Sequence, residues 1–202
     1  MEFPRSQAEP SGPVITYREA REDEKDAIDA LDDSYTTTSI YKVDISPDGF
    51  GFSIRRETIE TPITRNYSDE ESDSDSDSDS NYSPRKKESE SSPSNAYTIV
   101  ATINEDQICG VIDLIYRAWN RRLVITDIIV APERRGNGIG KKLMSMALDW
   151  GREVHGAKHA WLEVSNLNSP AIESYQGMGF TFCGLDLTLQ RGQNEVHQVL
   201  YS

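Results

Sequence analysis

Three glycines, Gly136, Gly138 and Gly140, stand two residues apart between an apolar run and a helical pattern. No other stretch restricts the chain as much. Before them, Leu123-Val124-Ile125-Thr126-Asp127-Ile128-Ile129 is apolar and β-branched and reads as a buried strand. After them, Leu143, Met144, Ala147, Leu148 and Trp150 recur at helical spacing. The glycines therefore lie on a strand-to-helix turn. Residues without a Cβ let the backbone come close to a ligand. The helix that follows offers unpaired N–H groups and the positive end of its dipole, which suits phosphate. Two phosphate loops are excluded. A Walker loop needs Ser or Thr after Gly-Lys, and Gly140-Lys141 is followed by Lys142. A dinucleotide loop needs G-x-G-x-x-G, whereas these glycines alternate.

The pattern that does match is R-x-x-G-x-G, as Arg135-Gly136-Asn137-Gly138-Ile139-Gly140. It resembles the acetyl-CoA loop of the GNAT N-acetyltransferases. A second block, Leu162-Glu163-Val164, Asn168, Ala171-Ile172, Tyr175 and Gly179-Phe180, is similar to another segment of that superfamily. The resemblance implies a mixed α/β fold: an antiparallel meander, then a parallel strand pair that splays apart, with flanking helices.

Composition bounds the rest. The chain has 202 residues, a formal net charge of -13 and a pI near 4.6. Such acidity argues against non-specific nucleic-acid binding and suits a cationic partner. Cys109 and Cys183 form no framework and read as reduced core thiols. No run approaches the roughly 18 apolar residues of a membrane span, and no apolar leader opens the chain, so a cytoplasmic protein is the expectation. His155, His159 and His197 lack metal-ligand spacing, so no metal is expected.

Taken in order, residues 1–13 are polar with three prolines and read as a disordered tail. Val14 to Arg18 is a strand; a helix follows with Asp23 as cap and Ala27, Ile28, Ala30 and Leu31 as its apolar stripe. Ser34 to Thr38 reads as a polar link. Ile40–Ile45 and Phe50–Ile59 read as a hairpin around Pro47-Asp48-Gly49. Residues 67–95 differ: an Asp-Ser alternation and a Glu-Ser stretch with almost no apolar side chains, expected to be a disordered insertion inside a single domain spanning 14–202. Ala96–Ile103 and Gln107–Ala118 are strands that lead into the strand before the glycines. The helix after Gly138 runs to about Val154, with Gly156 as its stop. Ala160–Val164 is a strand parallel to the one before that helix. Ser169 is expected to cap the next helix, with Pro170 in its first turn. Phe180–Gln190 and Val196–Tyr201 close the sheet.

The GNAT resemblance also implies residue roles. Main-chain groups of Ile128 and Val130 would bond the pantetheine amides of acetyl-CoA, the co-substrate. The N–H groups from Arg135 through Gly136, Asn137, Gly138 and Ile139 to Gly140 would bond its pyrophosphate. Asn168 would touch it; Arg134 and Lys141 read equally as solvated charges at the helix start or as side chains that reach the cofactor phosphates. Tyr175 would sit beside the sulfur as the acid. Transfer between a thioester and an amine needs positioning, an oxyanion donor and a route for the amine proton. Glu163 and Asp127, each in an otherwise apolar strand, are the candidate bases. Asp127 is equally a candidate to hold the acceptor ammonium.

Longer stretches narrow the group. Gly110 to Gly138, with Ala118-Trp119-Asn120-Arg121-Arg122, resembles the streptothricin (nourseothricin) acetyltransferases, as do Trp161 to Ile172 and Met178 to Asp186. That group carries an acidic insertion at the same place. The implied function is acetylation of a β-lysine amine of these polycationic antibiotics, conferring resistance, with Trp119, Asp127 and Glu163 facing the acceptor. The alternative is a protein or polyamine N-acetyltransferase acting on basic acceptors. A homodimer is compatible with the sequence, which does not fix the oligomeric state.

Overall fold

Near-continuous runs of Val, Ile, Leu and Ala, such as Ile99–Val100–Ala101 and Val111–Ile112, cannot leave one face in water. They build strands covered on both sides. A computed structural model describes residues 13–48, 50–66, 94–186 and 197–202. The terminal-tail and acidic-insertion expectations fall almost wholly outside those residues.

The strands are β1 (Ile15–Glu19), β2 (Tyr35–Ile45), β3 (Phe52–Arg65), β4 (Ala96–Ile103), β5 (Gln107–Arg117), β6 (Arg122–Val130), β7 (His159–Ser165), β8 (Thr181–Asp186) and β9 (His197–Tyr201). The helices are α1 (Lys25–Asp29), α2 (Ile139–His155) and α3 (Ser169–Gly177). Seven strands form one sheet in the order β1-β4-β5-β6-β7-β9-β8; β2 and β3 pair separately. All pairings in the large sheet are antiparallel except β6–β7. The expected GNAT-type fold, a meander followed by a parallel pair, is therefore present.

Helix α2 buries Ile139, Leu143, Met144, Ala147 and Gly151 along one stripe, and this stripe packs on β4, β5 and β6. Leu143 and Ala147 are fully buried. Burying a side chain of leucine size contributes about 1.5–3 kcal/mol, so this contact fixes where the helix begins. Gly151 permits the close approach: a Cβ there would lie 2.8 Å from Leu123 Cδ2. Gly156, at φ 63°, ends the helix in the left-handed conformation.

Several local expectations are corrected. Helix α1 has five residues, preceded by a 3-10 turn over Glu22–Glu24, and Asp23 caps neither. Glu24 stands at the N-cap position of α1 without a side-chain cap bond; its carboxylate instead accepts from the Arg21 N–H at 2.8 Å and pairs with Arg18 at 2.5 Å. Of its stripe only Ile28 and Leu31 are shielded; Ala27 and Ala30 are exposed. The supposed polar link is the start of β2, where Tyr35, Thr37 and Ser39 are buried. Thr37 Oγ1 donates within the strand to Ser39 O at 2.6 Å, and Ser169 Oγ lies 3.0 Å from both Thr37 Oγ1 and Ser39 Oγ. Ser169 is thus the first residue of α3 rather than its cap. Asn168 caps instead, its Oδ1 accepting from Ala171 N at 3.2 Å. Arm β3 runs on to Arg65, well past Ile59. Cys109 is buried, but Cys183 is exposed. His155 is half-buried, with its ring stacked 4.5 Å from that of Tyr116. No helix among the described residues is long and apolar enough to cross a membrane.

Candidate active site at the split between β6 and β7

The two parallel strands are joined by three residue pairs, Arg122↔His159, Leu123↔Ala160 and Val124↔Trp161. Beyond Val124 they separate, although β6 continues to Val130 and β7 to Ser165. The other edge of β6 stays paired with β5 up to Gly110↔Val130. One edge of β6 therefore faces a cleft of about 1160 Å³ from Ile125 onward. The cleft is walled by Ile125–Val130, Leu162–Ser165, the glycine loop and the Tyr175 face of α3.

The loop is shaped by its own backbone. Gly136 and Gly138 have φ of 77° and 79°. A Cβ at either would meet no heavy atom within 4 Å, so conformation, not crowding, requires glycine there. Gly138 precedes α2, and the first bond in that helix runs from Lys142 N to Gly138 O at 3.0 Å. The N–H groups of the opening turn thus have no carbonyl one turn back, and Gly138, Ile139 and Gly140 line the cleft. Asn137 turns away from the cleft, its Nδ2 donating to Arg134 O at 3.0 Å and Arg135 O at 3.2 Å.

The two arginine side chains divide the work. Arg135 donates to Val130 O at 2.8 Å, Ser34 O at 2.6 Å and Asp32 O at 3.3 Å. Its guanidinium locks the end of β6 to the segment before β2. The Val130 carbonyl assigned to pantetheine therefore already accepts one bond. Arg134 lines the cleft, and its Nε is buried without a hydrogen-bond partner. Exposed Lys141 lines the same end.

The cleft also carries acids. Asp127 opens onto the cleft, yet the surrounding walls push its carboxyl up to about 6, with Asp113 adding like-charge repulsion. Glu163, half-buried on β7, is raised by burial and then by Asp186. Tyr175 faces the same cleft from α3, with its ring 6.1 Å from that of Phe180. Ile128, Ile139, Gly140 and Asn168 also line it. Asn168 spends its side-chain oxygen on the α3 cap. Trp119 does not line the cleft: it is 85% exposed on the turn between β5 and β6, beyond the paired ends of β6 and β7. Sequence reasoning missed Asp113. It lies on β5 as the Cα partner of Asp127, accepts a bond from the Thr98 hydroxyl and lines the cleft. The only available signal was one acid within an apolar strand.

Residues 60–180 match the acetyltransferase (GNAT) family model. The chain is 40% identical to a streptothricin acetyltransferase of Streptomyces lavendulae, over 94% of each chain. A crystal structure of a nourseothricin acetyltransferase is 35% identical, covers 93% of this chain and 96% of its own, and superposes with a TM-score of 0.75. A Bacillus anthracis structure in complex with acetyl coenzyme A shares the fold, at 23% identity, a TM-score of 0.68 and coverage of 94% and 97%.

Proposed function

The chain belongs to the GNAT family of acetyltransferases, and from that premise we propose that it acetylates an amine of a streptothricin-type antibiotic, with acetyl-CoA as donor. The observation that carries this is the 40% identity to the Streptomyces lavendulae streptothricin acetyltransferase along nearly the whole of both chains. A net charge of -13 suits a polycationic acceptor. Acetylation of such an antibiotic removes a positive charge from a molecule that grips nucleic-acid phosphate, and so gives resistance.

The cleft fits the donor. The opening turn of α2 supplies N–H groups and a dipole to the pyrophosphate end, with Arg134 and Lys141 nearby. The free edge of β6 at Ile128 offers peptide groups to a chain of amides. Acetyl-CoA supplies the acetyl group already activated as a thioester. An alkylamine has a pKa of about 10.4, so presenting it neutral at pH 7 costs roughly 4–5 kcal/mol. Asp127, with its carboxyl near 6, is suited to draw off that proton directly or through water. Glu163, across the cleft, is the second candidate for this role. Tyr175 is assigned to donate a proton at the sulfur.

The test is to incubate the purified chain with acetyl-CoA and, separately, nourseothricin, spermidine or a lysine-rich peptide, following free thiol. Nourseothricin should give the highest kcat/KM, and mass spectrometry should find one added acetyl group on it. Preference for the peptide or for spermidine would overturn the reading.

A further inference from the structure

We propose that Asp113 is a specificity-determining residue of the acceptor side: Asp127 receives the reacting amine, and Asp113 pairs with a second ammonium of the same molecule. This rests on the amine-acetylating function proposed above and names its acceptor more narrowly, as one carrying two amines on a short alkyl chain.

The placement carries the argument. Asp113 and Asp127 are Cα partners on β5 and β6. Residues so paired are roughly 4.5–5.5 Å apart at Cα. The register shifts immediately after this pair, between Asp113 and Leu114, and both side chains line the one cleft. Asp127 stands beside the gap between β6 and β7, where any acyl donor must lie. Asp113 stands one strand farther away. An amine reacting at the gap is within reach of Asp127, and a second amine a few carbons along the chain falls to Asp113.

A purely structural role does not account for the pair. Among the described residues neither carboxylate has a basic partner within ion-pair distance. Lys25, at the cleft rim, is bridged to Asp29. The Thr98 hydroxyl donates to one oxygen of Asp113, which orients the carboxylate without neutralising it. Burial raises its carboxyl above the ordinary value; the Thr98 bond opposes this, Asp29 adds to it, and Lys25, held by Asp29, offsets it only in part. Two neighbouring carboxylates, Asp113 half-buried and Asp127 open to the cleft, with no ion-pair partner cost stability unless a bound cation repays it. An asparagine would keep the Thr98 bond without the repulsion, so the charge itself requires an explanation. A ligand bearing two ammonium groups supplies one, since each would form a charge-assisted bond.

The experiment compares the full-length wild type with D113N, which preserves shape and can still accept from Thr98. With nourseothricin as acceptor, D113N should raise KM about tenfold or more, the value of one charge-assisted contact. Its kcat should stay within about threefold, and acetyl-CoA affinity in calorimetry should be unchanged, because the reacting centre is untouched. A KM within about twofold of wild type would overturn the proposal. If wild type fails to acetylate nourseothricin, the proposed function falls, and a second measurement still decides the role of Asp113. Pentane-1,5-diamine and pentylamine are titrated into the CoA-saturated protein. Tighter binding of the diamine, with that preference lost in D113N, supports the assignment. No preference, or one that D113N leaves intact, overturns it.

Discussion

Tyr175 and Asp127 stand on opposite walls of the same cleft, and each has its own expected signature. A hydroxyl needed only as the sulfur gains charge acts on the transition state alone. Tyr175→Phe should therefore lower kcat by about 10²–10⁴-fold, the usual range for general acid catalysis, with little change in the acetyl-CoA KM. A loss below about threefold in steady-state assays would make Tyr175 a packing residue against Phe180. Asp127 carries a cost that activity conceals. Its carboxyl titrates ordinarily at 3.8 and in the fold at about 6. Between those values the folded chain holds the proton more tightly than the unfolded chain does. Stability from this group therefore declines as pH rises through that window, and the penalty is complete above about 6. Asp127→Asn removes it. The variant should melt at a higher temperature than wild type at pH 7.5, the gap should narrow toward pH 4, and acetyl transfer should fall throughout. Calorimetric scans across that range are the check; a lower melting temperature at pH 7.5 would point instead to a lost structural contact.

Helix α2 and the loop before it were legible because three independent signals coincide: a β-branched run, alternating glycines and a helical apolar stripe. The backbone agrees with all three, since the left-handed turns at Gly136 and Gly138 need residues without a Cβ. Gly138→Asp should consequently weaken acetyl-CoA more than tenfold in calorimetry, because it sets a negative charge at the positive end of the helix dipole. Gly138→Ala, strained by about 1–2 kcal/mol but uncharged, should lose mainly stability. Equal effects from the two would remove the electrostatic account of the loop. Elsewhere the local signals misled. Ser169-Pro170 follows the usual capping preference, yet the buried hydroxyls of Thr37 and Ser39 claim Ser169, and Asn168 is left to cap. Those partners lie about 130 residues away in sequence, beyond the reach of any local pattern. Polar Ser34–Thr38 read as a link for the same reason. Trp119 lies within a stretch that resembles the antibiotic acetyltransferases, which implies an acceptor-facing aromatic, but the short turn it occupies leaves it in water. The pairing of Asp113 with Asp127 depends on strand register, which a sequence does not print.

At the scale of the molecule, charge and sheet continuity set the behaviour. The Asp/Glu/Ser-rich stretch adds to a net charge of -13. Replacing Ser68–Pro93 with a short flexible linker should raise the acceptor KM at low salt and leave kcat unchanged. The cut stops before Asn95, whose carbonyl accepts from Tyr116 N at 2.7 Å. The difference should fade with added salt, as the screening length falls from about 10 Å at 0.1 M to about 3 Å at 1 M. An unchanged low-salt KM would make the stretch a spacer only. The three-pair seam between β6 and β7 has a mechanical consequence. The large sheet is two leaves, β1-β4-β5-β6 and β7-β9-β8, bound by a spine shorter than either page. Where the spine stops, each leaf presents a margin of peptide groups to the other without touching it. A guest with amides along its length can be sewn between those margins as a borrowed strand, so the substrate becomes part of the binding. Hydrogen exchange followed by mass spectrometry should then show peptides covering Ile128–Val130 and Leu162–Val164 slowing together when acetyl-CoA is added, with β1 and β4 unchanged.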